Sequence, residues 1–167
     1  MKFLKNISFL VIGIVALSSV TTLQGDGAFD AQINTLKQEC KDLIKATRYE
    51  GSKTTYYNVS GSKQTKSVEL FMFLPNEYQF AISTKKCSVP LTIRLYDAAA
   101  DVEERTMIKE FKNVQGKNFT FSTVQLNDIY RKKVPEVERL KNLHVEYSIG
   151  TGKTTKEAIV LVMGHKS

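Results

Sequence analysis

His144 and Glu146 stand two apart in an alternating run, so on a strand their side chains share a face and could begin a metal site or an acid–base pair. Zinc asks for further His or Cys ligands, and the chain offers only His165 and two distant cysteines. The alternation of Leu143, Val145 and Tyr147 against His144, Glu146 and Ser148 already accounts for the pair as the wet face of a half-buried strand. Asp97, Asp101, Glu103 and Glu104 put four carboxylates in one segment, enough oxygen ligands to consider calcium. That segment lacks the glycine of an EF-hand bend, so a solvated connection is expected, and any calcium is expected there.

Other residue types point away from catalysis. Gly150-Thr151-Gly152-Lys153-Thr154-Thr155 resembles part of a phosphate-binding loop, but the position that should hold its first glycine is Tyr147. A phosphate loop must also open a helix, whereas the following residues return to a strand, so a hairpin turn is expected. Neither a G-x-S-x-G turn nor a reactive Cys–His pairing is present. No enzyme and no cofactor are therefore expected. Carbohydrate recognition needs flat aromatic platforms; without Trp, Tyr56, Tyr57, Tyr78 and Tyr130 are the candidates, with Tyr56, Tyr57 and Tyr130 put forward as ligand-binding. Asn58 and Asn118 head glycosylation sequons.

The N-terminus states an address. Lys2 and Lys5 precede an apolar run from Ile7 to Leu17, too short for the roughly 20 residues of a bilayer span and suited to a secretory signal peptide. Residues 1–25 are read as that leader, cut between about 18 and 25, leaving about 142 residues, near the usual size of one domain. The exported protein is expected to be periplasmic or secreted and not integral to a membrane. The formal charge is +7, or +5 once Lys2 and Lys5 leave, and 19 of the 24 basic residues are Lys, scattered along the chain. Scattered lysines suit exposed sheet edges better than phosphate or base recognition, which recruits the planar Arg fork, so no nucleic-acid partner is expected. In an oxidising compartment Cys40 and Cys87 are expected to form a disulfide across 46 intervening residues, adding about 4 kcal/mol by chain entropy.

These residues need elements to hold them. Phe29, Ile33, Leu36, Cys40, Leu43 and Ile44 make one apolar stripe, predicting a helix within residues 26–50 with Asp26 or Asp30 at its start and Gly51 as its stop. From residue 51 to 167 the period changes to two, and runs at 67–74, 78–83, 91–96, 119–124, 143–149 and 158–163 read as strands, with weaker ones at 54–59 and 107–114. The last two of the six are expected to pair, and 107–114 to form a hairpin with the strand at Phe119 through Gln115-Gly116. Residues 126–142 interrupt the rhythm, with Pro135 suited to the first turn of a short helix and Glu136 and Glu138 near its positive end. The predicted fold is mainly β: an antiparallel, jelly-roll-like β-sandwich with one N-terminal amphipathic helix packed on it, helix and sandwich forming one domain.

Within residues 75–97, Asn76–Ser83 (NEYQFAIS) carries a Tyr-x-Phe strand, and Leu91–Asp97 (LTIRLYD) is an apolar strand ending in Tyr-Asp. This pattern resembles the paired strands of small secreted β-sandwich domains of Gram-negative bacteria, including the pre-peptidase C-terminal type. The resemblance implies a jelly-roll-like sandwich and a binding or accessory role. The expectation is thus a non-enzymatic envelope module whose partner is a protein or glycan of the cell envelope, the alternative being a carbohydrate- or calcium-binding module.

Overall fold

Helix α1 (Asp26–Leu43) carries the apolar stripe, which Ile44 continues beyond the last turn, in a computed structural model that describes residues 26–73 and 75–166. The proposed leader lies outside the described residues. The helix stops earlier than Gly51 because residues 48 onward extend into a strand, where Gly51 follows a bulge. Leu43 consequently points to solvent instead of completing the stripe.

Among the described residues eight antiparallel strands follow: β1 (Arg48–Asn58), β2 (Gln64–Phe71), β3 (Glu77–Ser83), β4 (Leu91–Tyr96), β5 (Met107–Phe111), β6 (Asn118–Ser122), β7 (Asn142–Ile149) and β8 (Lys156–Lys166). They form two four-stranded sheets, β1-β8-β3-β6 and β2-β7-β4-β5, called A and B. The predicted class is what the structure has: a mainly β antiparallel sandwich with an N-terminal helix, plus a second, short helix. The predicted pairings are different. β7 lies in sheet B and β8 in sheet A; β5 and β6 are likewise divided, as are β3 and β4. Only β4 and β5 are consecutive strands in one sheet, so nearly every connection crosses between layers.

That crossing explains glycines that a hairpin does not. A Cβ on Gly150 would sit 2.9 Å from the Pro90 carbonyl oxygen, and one on Gly152 would sit 2.5 Å from Val89 Cγ1, because the β7–β8 connection packs against residues 89–90.

Side-chain period decides the layers. β7 alternates buried and wetter residues, so sheet B has one apolar face. β8 is apolar on both faces: Ile159 and Leu161 enter the inter-sheet core, while Ala158, Val160 and Val162, with Ala81 of β3, receive α1 through Ile33, Leu36, Cys40 and Ile44. The order of layers is therefore α1, sheet A, sheet B.

The second helix, α2 (Thr123–Lys133), precedes Pro135 rather than starting at it. Ser122 Oγ accepts from the Gln125 amide and Gln125 Oε1 accepts from the Ser122 amide, a capping box; Arg131–Lys133 suit the negative end. Leu126 and Tyr130 enter the core from this helix.

The disulfide expectation is corrected. Cys40 and Cys87 are both free and buried, Cys40 between α1 and sheet A, Cys87 between the sheets. The loop after β3 turns Cys87 toward the Ala158 carbonyl, 3.7 Å away, on the inner side of the sheet. Burial pushes the Cys40 thiol up to about 12 and the Cys87 thiol up to about 11.

Candidate functional site

The outer face of sheet B has no helix over it and collects the polar residues that alternation turns outward. Register aligns two rungs across all four strands. The first is Ser67, Glu146, Arg94, Glu110; the second is Glu69, His144, Tyr96, Met107.

Arg94 organises the first rung. Its Nε donates to Glu110 Oε1 at 2.8 Å and its Nη1 to Ser148 Oγ at 2.7 Å, with Glu146 Oε1 at 3.6 Å. Arg105 donates from both terminal nitrogens to Glu146 Oε2 at 3.2 Å and lies 3.9 Å over the Tyr96 ring, joining the two rungs. Lys112 reaches the other Glu110 oxygen at 3.1 Å. Hydrogen bonding from Lys112, reinforced by Arg94 against desolvation, holds the Glu110 carboxyl below its ordinary value. His144 Nε2 sits 3.4 Å from Glu69 Oε1, its direct cross-strand neighbour.

The segment from Asp97 to Thr106 folds over this face and leaves a hollow of about 180 Å³ lined by Ser67, Glu69, Tyr96, Arg105, His144 and Glu146. Asp97 closes the segment's base: Oδ1 accepts from the Thr106 amide at 2.6 Å and Oδ2 from Tyr130 Oη at 2.9 Å. Burial first and Asp97 second push the Tyr130 hydroxyl up to about 12. Ser67, His144 and Glu69 line one hollow, yet no hydrogen bond joins Ser67 to His144, and the imidazole is oriented on Glu69. The arrangement offers paired donors and acceptors to a polar partner, without the hydrogen bond that would activate Ser67 as a nucleophile.

The other sequence candidates are scattered. Asp97 is engaged as an acceptor, while Asp101, Glu103 and Glu104 point to solvent, and among the described residues no three His, Cys, Asp or Glu gather around a metal position. Tyr56 is exposed beside Phe29 on the outside of sheet A, ring centroids 6.2 Å apart. Tyr57 is buried and donates to Glu157 at 2.7 Å, Tyr78 is buried and its Oη accepts from the Phe73 amide at 2.9 Å, and Tyr130 is buried and donates to Asp97. These tyrosines build no platform. Asn118 Nδ2 donates to Glu39 at 2.9 Å beneath α1, whereas Asn58 is exposed at the end of β1.

Two features escaped sequence reasoning. Arg94 and Arg105 carry the outer face, and only the pairing of β4 with β5 and β7, which residue types do not encode locally, brings them to Glu110 and Glu146. Buried Glu157 was also missed, although a carboxylate opening the apolar run of β8 was a visible anomaly.

No protein-family model matches the chain, and no curated protein matches it. A solved structure titled "Bacillus endospore appendages form a novel family of disulfide-linked pili" is similar at 10% identity and a TM-score of 0.34, covering 72% of this chain and 91% of that one. That likeness is too distant to carry a statement about role. No helix among the described residues is long and apolar enough to cross a membrane.

Proposed function

We propose that the chain is an exported, non-enzymatic binding or accessory module of the cell envelope, and that its partner contact is the outer face of sheet B. One observation carries this reading: α1 covers β3 and β8 on the outer face of sheet A, while sheet B has no helix over its outer face and presents interlocked charges there, Arg94, Glu110, Glu146 and Arg105, beside an open hollow. Ion pairs already formed on a strand scaffold are preorganised, so a polar partner meets donors and acceptors that need no rearrangement. His144 held on Glu69, with Ser67 unbonded to it, supports recognition over turnover.

The test places a photo-crosslinking residue at Ser67 or, as a control, at exposed Gln38 on α1 in the exported protein. One discrete adduct from position 67 and none from 38, lost in Arg105→Ala, is the expected result. Hydrolysis of model esters or glycosides that disappears in His144→Ala would replace the module with an enzyme.

A further inference from the structure

We infer that the end of the sandwich formed by the β2–β3 turn is a contact surface for an anionic lipid layer. Leu70 to Pro75 is an unbroken apolar run, and strand alternation uses only part of it: Leu70 and Met72 are buried, leaving Phe71 and Phe73 59% and 69% exposed. Val124, 45% exposed, shares with Met72 and Leu140 a shallow hollow of about 130 Å³ at the same end. Phe71 and Phe73, two of the eight large exposed apolar side chains among the described residues, thus stand two apart at one strand end, with Val124 on the hollow that the intervening Met72 lines, an arrangement that marks an interaction surface.

The aromatics are held in place. Met72 N donates to the Lys141 carbonyl at 3.3 Å, the Phe73 amide to Tyr78 Oη at 2.9 Å, and the Asn76 amide to the Phe73 carbonyl at 3.1 Å. They project from a strand end and turn rather than line a groove. That geometry suits entry into a headgroup layer better than reception of a peptide side chain.

Charge selects the lipid. Arg139 lines the hollow with Met72, Lys141 stands beside Met72 in main-chain register, and neither makes an ion pair among the described residues. Arg131, on the same hollow, already holds Asp128 at 2.6 Å, which leaves Glu77 as the opposing carboxylate there. Apolar side chains flanked by uncompensated cations bind anionic interfaces by insertion plus Coulomb attraction. Phe71 continues the outer face of sheet B two residues beyond Glu69, whereas Phe73, Arg139 and Lys141 lie past the ends of β2 and β7, so this surface borders the polar rungs without using Arg94, Arg105, Glu110 or Glu146.

The chain has no Trp, so Phe73→Trp in the exported protein is a single reporter at the turn. Vesicles of phosphatidylcholine with phosphatidylglycerol should blue-shift its emission and shield it from acrylamide, while phosphatidylcholine alone should do so far less. In flotation with the anionic vesicles, Phe71→Ser with Phe73→Ser should weaken binding about tenfold, and Arg139→Gln with Lys141→Gln similarly, at unchanged melting temperatures. An emission spectrum unmoved by anionic vesicles, equal shifts with both vesicle types, or a photo-crosslinker at position 73 that labels a protein instead of lipid would overturn the proposal.

Discussion

Glu157 is the residue whose chemistry and placement conflict most. It is 4% exposed, at the start of β8, with its side chain between the sheets. A buried carboxylate survives only when its oxygens are satisfied, and here neutral groups supply the donors. Tyr57 Oη donates at 2.7 Å, the Ser88 amide and hydroxyl both donate, and Thr155 Oγ1 lies at 3.3 Å. Burial, with Cys87 and Glu157 beside it, drives the Tyr57 hydroxyl well above its ordinary value, so it stays a donor throughout the usual pH range. Glu157 thereby pins the loop after β3 and the β7–β8 connection onto the end of the sheet. Glu157→Ala orphans three donors and should cost about 3 kcal/mol, measured by urea denaturation; Glu157→Gln, which keeps an acceptor oxygen, should cost less. Equal losses for the two variants would show that side-chain volume, not acceptance, is what the site requires.

At the next scale, α1 is attached to sheet A by an apolar stripe and one polar tether. Glu39 Oε2 accepts from Lys85 Nζ at 2.6 Å and from Asn118 Nδ2 at 2.9 Å. Lys85 and then Asn118 hold the Glu39 carboxyl below its reference value of 4.5. A carboxyl depressed on folding contributes stability above its unfolded value and loses that contribution as pH falls through the folded value. The melting temperature should therefore drop more steeply between about pH 5 and about pH 3 in the wild type than in Glu39→Gln. Parallel curves would remove the tether from the account. The helix itself was legible because period 3.6 is written in Phe29, Ile33, Leu36 and Cys40, and the strands because period 2 is written in runs such as Leu91–Tyr96. Strand partners were not legible. Alternation fixes which face a residue takes but not which strand lies beside it, so β7 and β8 were joined by their turn-like glycines although they occupy different sheets. Pro135 misled for a related reason, since a proline marks either the start of a helix or the end of one, and the Ser122–Gln125 box that settles α2 lay just upstream. The rungs of the candidate site inherit the same limit, because they exist only through strand pairing.

Across the whole molecule, the three layers share one strand. β8 gives Ile159 and Leu161 to the core between the sheets and Ala158, Val160 and Val162 to the layer under α1, so neither layer can lose β8 without opening the other. The crossing connections work the same way, since unpairing most strands releases segments of both sheets together. Such a topology predicts a single cooperative transition rather than early release of α1, and slow folding, because contacts distant in sequence must close first. The two cysteines report on the two layers separately. With their thiols raised to about 12 and about 11, both should resist thiol reagents at neutral pH while folded, and both should titrate as free thiols in denaturant without reductant. In Cys87→Ala the remaining Cys40 reads the helix–sheet layer, and in Cys40→Ala the remaining Cys87 reads the inter-sheet core. Labelling followed against denaturant should give coincident midpoints for the two once each variant's own stability is allowed for. If Cys40 becomes reactive at a clearly lower denaturant concentration, α1 undocks as an independent unit, and the covered face of sheet A, Ala81, Ala158, Val160 and Val162, is open to other occupants before the sandwich unfolds.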